Sequence, residues 1–205
     1  MRIAFFGGTF DPVHEGHLRV AGAAADEFAL DRVLFAPVGR QPLKAKTAEA
    51  PFADRVAMVR LACADSEPAG TMVLSEIDAP KPGGQPNYTV DTLKELQREH
   101  PEAELYAIAG ADSFLTVQSW REPDRLLELA QWIVVSRPGF DLSQLASLDL
   151  RPEQQARVHL LGSVHEDVSA SDLRLRLAAG ETCSDWLPAS VVEYIRERGL
   201  YGSRP

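Results

Sequence analysis

Phe5-Phe6-Gly7-Gly8-Thr9-Phe10-Asp11-Pro12-Val13-His14-Glu15-Gly16-His17 is the stretch that decides the fold. With the preceding Arg2-Ile3-Ala4, the apolar residues up to Phe6 read as a first β-strand. Two glycines and a threonine then turn the chain. Beyond His17, Leu18, Ala21, Ala24, Ala25 and Phe28 recur at helical spacing. The order is strand, glycine turn, histidine pair, helix. A helix start offers N–H groups without intrahelical acceptors and a partial positive charge, and both suit an anion. Glycine lets a phosphate approach the main chain closely, and two imidazoles add donors. The stretch reads as a nucleotide phosphate site with the histidines aimed at the reacting phosphate.

A structural reading stands beside this one. A Gly-Gly pair can be only a turn, and a histidine only a hydrogen-bonded scaffold residue. A metal site is disfavoured. Zinc peptidases set two histidines four apart on one helix face, with a glutamate between them. His14 and His17 are three apart with Gly16 between, and no nearby cysteine or third histidine completes a shell. No metal-ligating residue is expected.

The 205 residues fit one domain, with a core over about 1–165 and a C-terminal helical segment over about 166–205. Apolar residues make up 45% and charged residues 25%, enough for a sizeable core in a soluble globular chain. The net charge of −9 argues against a nucleic-acid partner, which wants a basic surface. A local cluster of cations can still hold a small anion. Only Cys63 and Cys183 are present, with no CxxC, which fits a reducing cytoplasm. No apolar run is long enough for a membrane span.

Strand and helix patterns then alternate. Strands are expected at Arg32–Val38, Thr71–Ile77, Glu104–Gly110, Gln131–Ser136 and, more weakly, Arg157–Leu161. Helices are expected at Phe52–Asp65, at Thr89–His100 with Thr89 as N-cap, near Pro123–Ala130, and at about Ser171–Ala179 and Pro188–Arg198. Ala79–Asn87 is a Pro/Gly loop, and Gly139–Gln155 is the least patterned region. This order predicts an α/β, Rossmann-like, doubly wound and mostly parallel sheet with helices on both faces. Ligands then bind at the carboxyl ends of the strands, so the loop after Phe6 and the loop Gly110-Ala111-Asp112 share one rim.

The His-x-Gly-His pair resembles the phosphate-binding signature of the nucleotidyltransferase superfamily. Further stretches narrow the resemblance. They are Asn87-Tyr88-Thr89-Val90-Asp91-Thr92-Leu93, Gly110-Ala111-Asp112 with Trp120 eight residues after the aspartate, and Ser136-Arg137-Pro138-Gly139. Val168-Ser169-Ala170-Ser171-Asp172-Leu173-Arg174 and Leu187-Pro188-Ala189-Ser190-Val191-Val192-Glu193-Tyr194-Ile195 follow. Together they are similar to the bacterial nicotinate-mononucleotide adenylyltransferases over nearly the whole chain.

That resemblance implies transfer of an adenylyl group from ATP to nicotinic acid mononucleotide, giving nicotinic acid adenine dinucleotide and pyrophosphate in NAD biosynthesis. It implies Gly7, Gly8, Thr9 and Phe10 along the ATP phosphates, and His14 and His17 as donors to the transferring phosphate. It implies Lys44 as a mobile cation, and Ser169, Ser171 and Arg174 along the triphosphate. Gly110 and Asp112 would lie near the adenosine. Tyr88 and Thr89 would meet the nicotinate carboxylate through backbone N–H groups, Trp120 would stack on the pyridine ring, and Arg137 would assist. Mg²⁺ would accompany the triphosphate. One departure is visible: Gln41-Pro42-Leu43-Lys44 stands where the family often carries Pro-Pro-His-Lys.

Without the resemblance, Trp120 reads first as a core residue, Arg174-Leu175-Arg176 as a solvated helix face and Arg137 as a turn brace. Rival functions are an adenylyltransferase for nicotinamide mononucleotide or for another phosphate acceptor such as phosphopantetheine, and a non-catalytic nucleotide sensor. A histidine-signature tRNA synthetase fits neither the length nor the acidic balance.

Overall fold

The structure is a computed structural model and describes residues 1–42, 48–66, 68–136, 145, 148–162 and 168–203. Six strands form one sheet: β1 (Arg2–Gly8), β2 (Arg32–Pro37), β3 (Met72–Leu74), β4 (Glu104–Gly110), β5 (Gln131–Val135) and β6 (Val158–Leu161). Their order is β3-β2-β1-β4-β5-β6, and every pairing is parallel. Phe5 lies opposite Ala107, Gly8 opposite Pro37, and Gly110 opposite Val135. The chain winds outward from β1 to β2 and β3, then returns beside β1 as β4 and winds the other way. A crevice at such a switch point, at the carboxyl ends of β1 and β4, is where open α/β sheets bind ligands.

Side-chain alternation along the strands builds two cores. Ala4, Val33, Phe35, Tyr106, Ile108 and Ile133 pack on one face. Ile3, Phe5, Leu34, Ala107, Ala109, Trp132 and Val134 pack on the other. The period of two explains why each strand reads as almost continuously apolar: both faces are covered. Helices α1 (Glu15–Phe28) and α2 (Phe52–Ala64) cover the first face with α7 (Ala170–Ala178) and α8 (Ala189–Arg198). Helices α3 (Thr89–Glu99), α4 (Ala111–Phe114) and α5 (Pro123–Leu129) cover the second, and α6 (Pro152–Gln155) precedes β6. The C-terminal segment is thus part of the β1 core: Leu173, Leu177, Val191, Ile195 and Tyr201 pack with Ala4 and Phe10.

Several boundaries differ from the expected ones. Gly7 and Gly8 belong to β1, because they pair with Ala36 and Pro37. The strand expected over Thr71–Ile77 shrinks to Met72–Leu74, an edge strand with one neighbour. Helices α4 and α6 span four residues each and fall in segments read as irregular; one turn cannot display a helical period. Much of the unpatterned Gly139–Gln155 region lies outside the described residues. Among the described residues no helix is long and apolar enough to cross a membrane. Cys63 and Cys183 are both buried and free, and burial pushes the Cys63 thiol up to about 12.

Candidate active site

The loop between β1 and α1 folds back on itself. A Cβ added at Gly8 would sit 2.9 Å from the Phe10 ring, so glycine is required there by packing. Phe10 takes a left-handed φ of 48°, which turns its ring into the core. The Phe10 side chain is 2% exposed and packed in the core beneath the loop. The Asp11-Pro12 peptide is cis.

His14 is the N-cap of α1, and His17 is the third residue of its first turn. The His14 backbone N–H donates to His17 Nδ1 at 3.2 Å. This is the return half of a capping box, made by an imidazole in place of the usual carboxylate. A ring nitrogen that accepts carries no proton, so the neutral His17 ring holds its proton on Nε2. The two imidazoles lie with centroids 3.7 Å apart, and the Phe10 ring meets His17 edge-on at 5.0 Å. His17 is thus fixed in both tautomer and plane. The helix start itself is less open than the sequence suggested. The Glu15 N–H donates to the Trp186 carbonyl at 2.8 Å, and the His17 N–H to the His14 carbonyl at 2.9 Å.

Arg174 closes one side of this loop from α7. Its Nη1 donates to the Asp11 carbonyl at 2.7 Å, its Nε to the Glu49 carboxylate at 3.1 Å, and its Nη2 to Ser171 Oγ at 3.2 Å. Ser169 caps α7, accepting from the Asp172 N–H at 3.1 Å, so its hydroxyl serves the helix. Ser171 and Arg174 are therefore brought against the loop between β1 and α1, with Glu49 already on the guanidinium.

Sequence reasoning missed the residue beneath them. Asp11 is 4% exposed. Its carboxylate accepts from the Glu49 N–H at 2.7 Å, the Ala50 N–H at 3.0 Å and the Tyr201 hydroxyl at 2.8 Å. Arg55, also missed, is 3% exposed and donates to the Thr9 carbonyl at 2.7 Å and the Val38 carbonyl at 3.0 Å. Burial pulls the Arg55 guanidinium below its ordinary value, and the nearby Asp11 charge opposes that. The Asp-Pro turn and an arginine on the buried face of α2 were the available signals.

At the other end of the rim, Tyr88 is the N-cap of α3, one residue before the Thr89 expected, and Thr89 is the first helical residue. The Asp91 and Thr92 N–H groups bond to the Tyr88 carbonyl, while the Thr89 and Val90 N–H groups have no acceptor within the helix. Asn87, buried, pins this start. Its Oδ1 accepts from the Arg40 N–H at 3.1 Å, and its Nδ2 donates to the Ala79 carbonyl at 3.0 Å. The Thr92 hydroxyl donates to the buried Asp78 carboxylate, whose pKa burial pushes up.

Trp120 is only partly buried, its Nε1 donating to Thr116 Oγ1 at 3.0 Å and its ring edge-on to Trp132 at 5.9 Å. The adjacent Arg121 lies over the Tyr88 ring at 4.7 Å, and Glu122 pairs with Lys94 of α3 at 2.8 Å. The Trp120 segment is thereby clamped to the start of α3. Gly110 ends β4 and caps α4, with open space in front of it, and Asp112 is exposed in the first turn of α4. Lys44, its neighbour Leu43, and Arg137 lie outside the described residues. Among the described residues, no group of three or more His, Cys, Asp or Glu side chains could hold a metal ion.

A family model described as cytidylyltransferase-like matches residues 5–176. A curated relative from Rubrobacter xylanophilus, named "Probable nicotinate-nucleotide adenylyltransferase", is 41% identical over 98% of this chain and 92% of its own length. One of the same name from Roseiflexus sp. is 42% identical over 97% of both chains. Among solved structures, nicotinic acid mononucleotide adenylyltransferase of Plasmodium falciparum, complexed with NaAD, has a TM-score of 0.77 at 20% identity. It covers 99% of this chain and is itself 98% covered.

Proposed function

We propose that this chain, which belongs to the cytidylyltransferase-like family and within it to the nicotinate-nucleotide adenylyltransferases, joins ATP and nicotinic acid mononucleotide. The products are nicotinic acid adenine dinucleotide and pyrophosphate, in NAD biosynthesis. A phosphate monoester is already largely dianionic at neutral pH, its second pKa being about 6. It needs no general base. One of its oxygens attacks the α-phosphorus of ATP, the bond from that phosphorus to the bridging oxygen of the β-phosphate breaks, and pyrophosphate leaves with the electron pair. The demand on the protein is positioning and charge neutralisation.

The observation that most supports this reading is the pairing of a tautomer-fixed His17 with Arg174, held on the same loop through Asp11. His17 Nε2–H and His14 serve the transferring phosphate. Gly7, Gly8, Thr9 and the Phe10 main chain follow the phosphates, with Ser169, Ser171 and Arg174 along the triphosphate tail. Gly110 and Asp112 face the adenosine. Glu49 yields Arg174 to the incoming anion. Mg²⁺ bound with ATP would neutralise part of the triphosphate charge, a role that suits an ion that keeps several waters and binds phosphates. Lys44 and Arg137 add charge to the mononucleotide phosphate. The whole chain acts as one nucleotidyltransferase domain, in the cytoplasm, where ATP is supplied and Cys63 and Cys183 stay reduced.

Acceptor choice rests on the start of α3, where the Thr89 and Val90 N–H groups favour a carboxylate over a neutral amide. With ATP and Mg²⁺, nicotinic acid mononucleotide should release one pyrophosphate per dinucleotide formed, and nicotinamide mononucleotide should turn over much more slowly. Equal rates would contradict the acid preference, and no product from either would contradict the whole reading. Trp120→Ala should raise KM for the mononucleotide about tenfold, in line with ~1–3 kcal/mol for a lost stacking platform. KM for ATP should hardly move; a parallel rise in both would make Trp120 a scaffold residue.

A further inference from the structure

Arg55 is a buried cation that the reaction does not directly use. Its two terminal nitrogens grip carbonyls from different loops: Thr9 after β1 and Val38 after β2. Each grip continues into one half of the site. The Thr9–Phe10 peptide is trans, so drawing the Thr9 carbonyl toward Arg55 points the Phe10 N–H the opposite way. On the other side, the Gly39 N–H donates to the Asp78 carbonyl at 2.8 Å. The Arg40 N–H then donates to Asn87 Oδ1 at 3.1 Å, and the Asn87 N–H to the Arg40 carbonyl at 2.9 Å. Asn87 immediately precedes Tyr88 and Thr89. A Cβ at Gly39 would come within 2.5 Å of Pro80, so the β2 loop is seated tightly against the segment that leads to α3.

We propose that Arg55 is the positioning residue that sets the spacing between the triphosphate half and the mononucleotide half of the site; this rests on the adenylyl-transfer reading above. A planar guanidinium suits the task. Its fork holds two acceptors at a fixed separation, whereas a lysine ammonium is a point charge on a flexible stem. The guanidinium is held in turn by the Phe52 ring, 5.3 Å from its central carbon, and it lies near Asp11. A charge buried this deeply costs stability unless paired and hydrogen-bonded. Holding both loops with one side chain accounts for a buried arginine on α2 beside Val56, Met58 and Val59.

The test is steady-state kinetics of Arg55→Lys and Arg55→Gln beside the wild type, with the affinity of each nucleotide measured separately by calorimetry. If the spacing is set by Arg55, kcat falls roughly 10²-fold in Arg55→Gln, the size expected for misplacing reactants by about 1 Å. Each KM and each separate affinity stays within about threefold. Arg55→Lys, able to hold one carbonyl at a time, recovers part of kcat. Unchanged kcat in folded variants overturns the proposal. So does a rise in the KM or affinity constants equal to the fall in kcat, and so does failure of both variants to fold, which assigns Arg55 to stability alone. A wild type that forms no dinucleotide overturns the adenylyl-transfer reading instead.

Discussion

His17→Ala should lower kcat by roughly 10²–10³, the cost of removing one preorganised donor from a charge-stabilising site. The ring is held before any substrate arrives. The His14 N–H fixes Nδ1 as an acceptor at 3.2 Å, and the His14 and Phe10 rings fix its plane. A donor that costs no reorganisation is worth most where charge develops, so the loss should fall on kcat more than on KM for ATP. The fold should survive, because His17 sits in the first turn of α1 and its ring fills no deep core position. A near-wild-type rate in the folded variant would make the histidine a helix cap and nothing more.

Asp11→Ala should be among the most destabilising single changes in the chain, at about 3–5 kcal/mol. The carboxylate is buried and accepts from the Glu49 and Ala50 N–H groups and the Tyr201 hydroxyl. It also lies beside two cations, Arg55 and, at 3.9 Å, Arg174. Its removal strands buried donors and leaves the Arg55 charge without compensation. Urea unfolding of wild type, Asp11→Asn and Asp11→Ala should rank them in that order of falling stability, since asparagine keeps one acceptor oxygen and loses the charge. A difference under about 1 kcal/mol between wild type and Asp11→Ala would mean that water replaces these partners.

The sheet was legible in the sequence because its strands are buried on both faces and read as short apolar runs between turn signals. Glu104–Gly110 keeps its expected limits, and β5 ends one residue early. The histidine loop was legible because its residues are close in sequence. Its support was not. Tyr201 reaches Asp11 across 190 positions, Arg174 reaches Glu49 across 125, and Arg55 reaches Thr9 across 46. A single aspartate or arginine carries no period of its own, so the Asp-Pro turn and the place of Arg55 on the buried face of α2 were weak signals of a buried hub. The resemblance brought Ser171, Arg174, Tyr88 and Trp120 to attention, and the geometry adds what each leans on. The left-handed backbone at Phe10 and the burial of its ring were not legible, because a non-glycine residue gives no sign in sequence of a positive φ.

The central claim is direct transfer, with the mononucleotide phosphate attacking the α-phosphorus and no protein group taking the adenylyl moiety in between. The stereochemical course at that phosphorus tests it. With one diastereomer of adenosine 5′-O-(1-thiotriphosphate) as donor, the dinucleotide should carry a phosphorothioate of inverted configuration, readable by phosphorus NMR. Retention would require two displacements through a covalent adenylyl-protein intermediate, and would contradict the roles given to His14, His17 and Arg174.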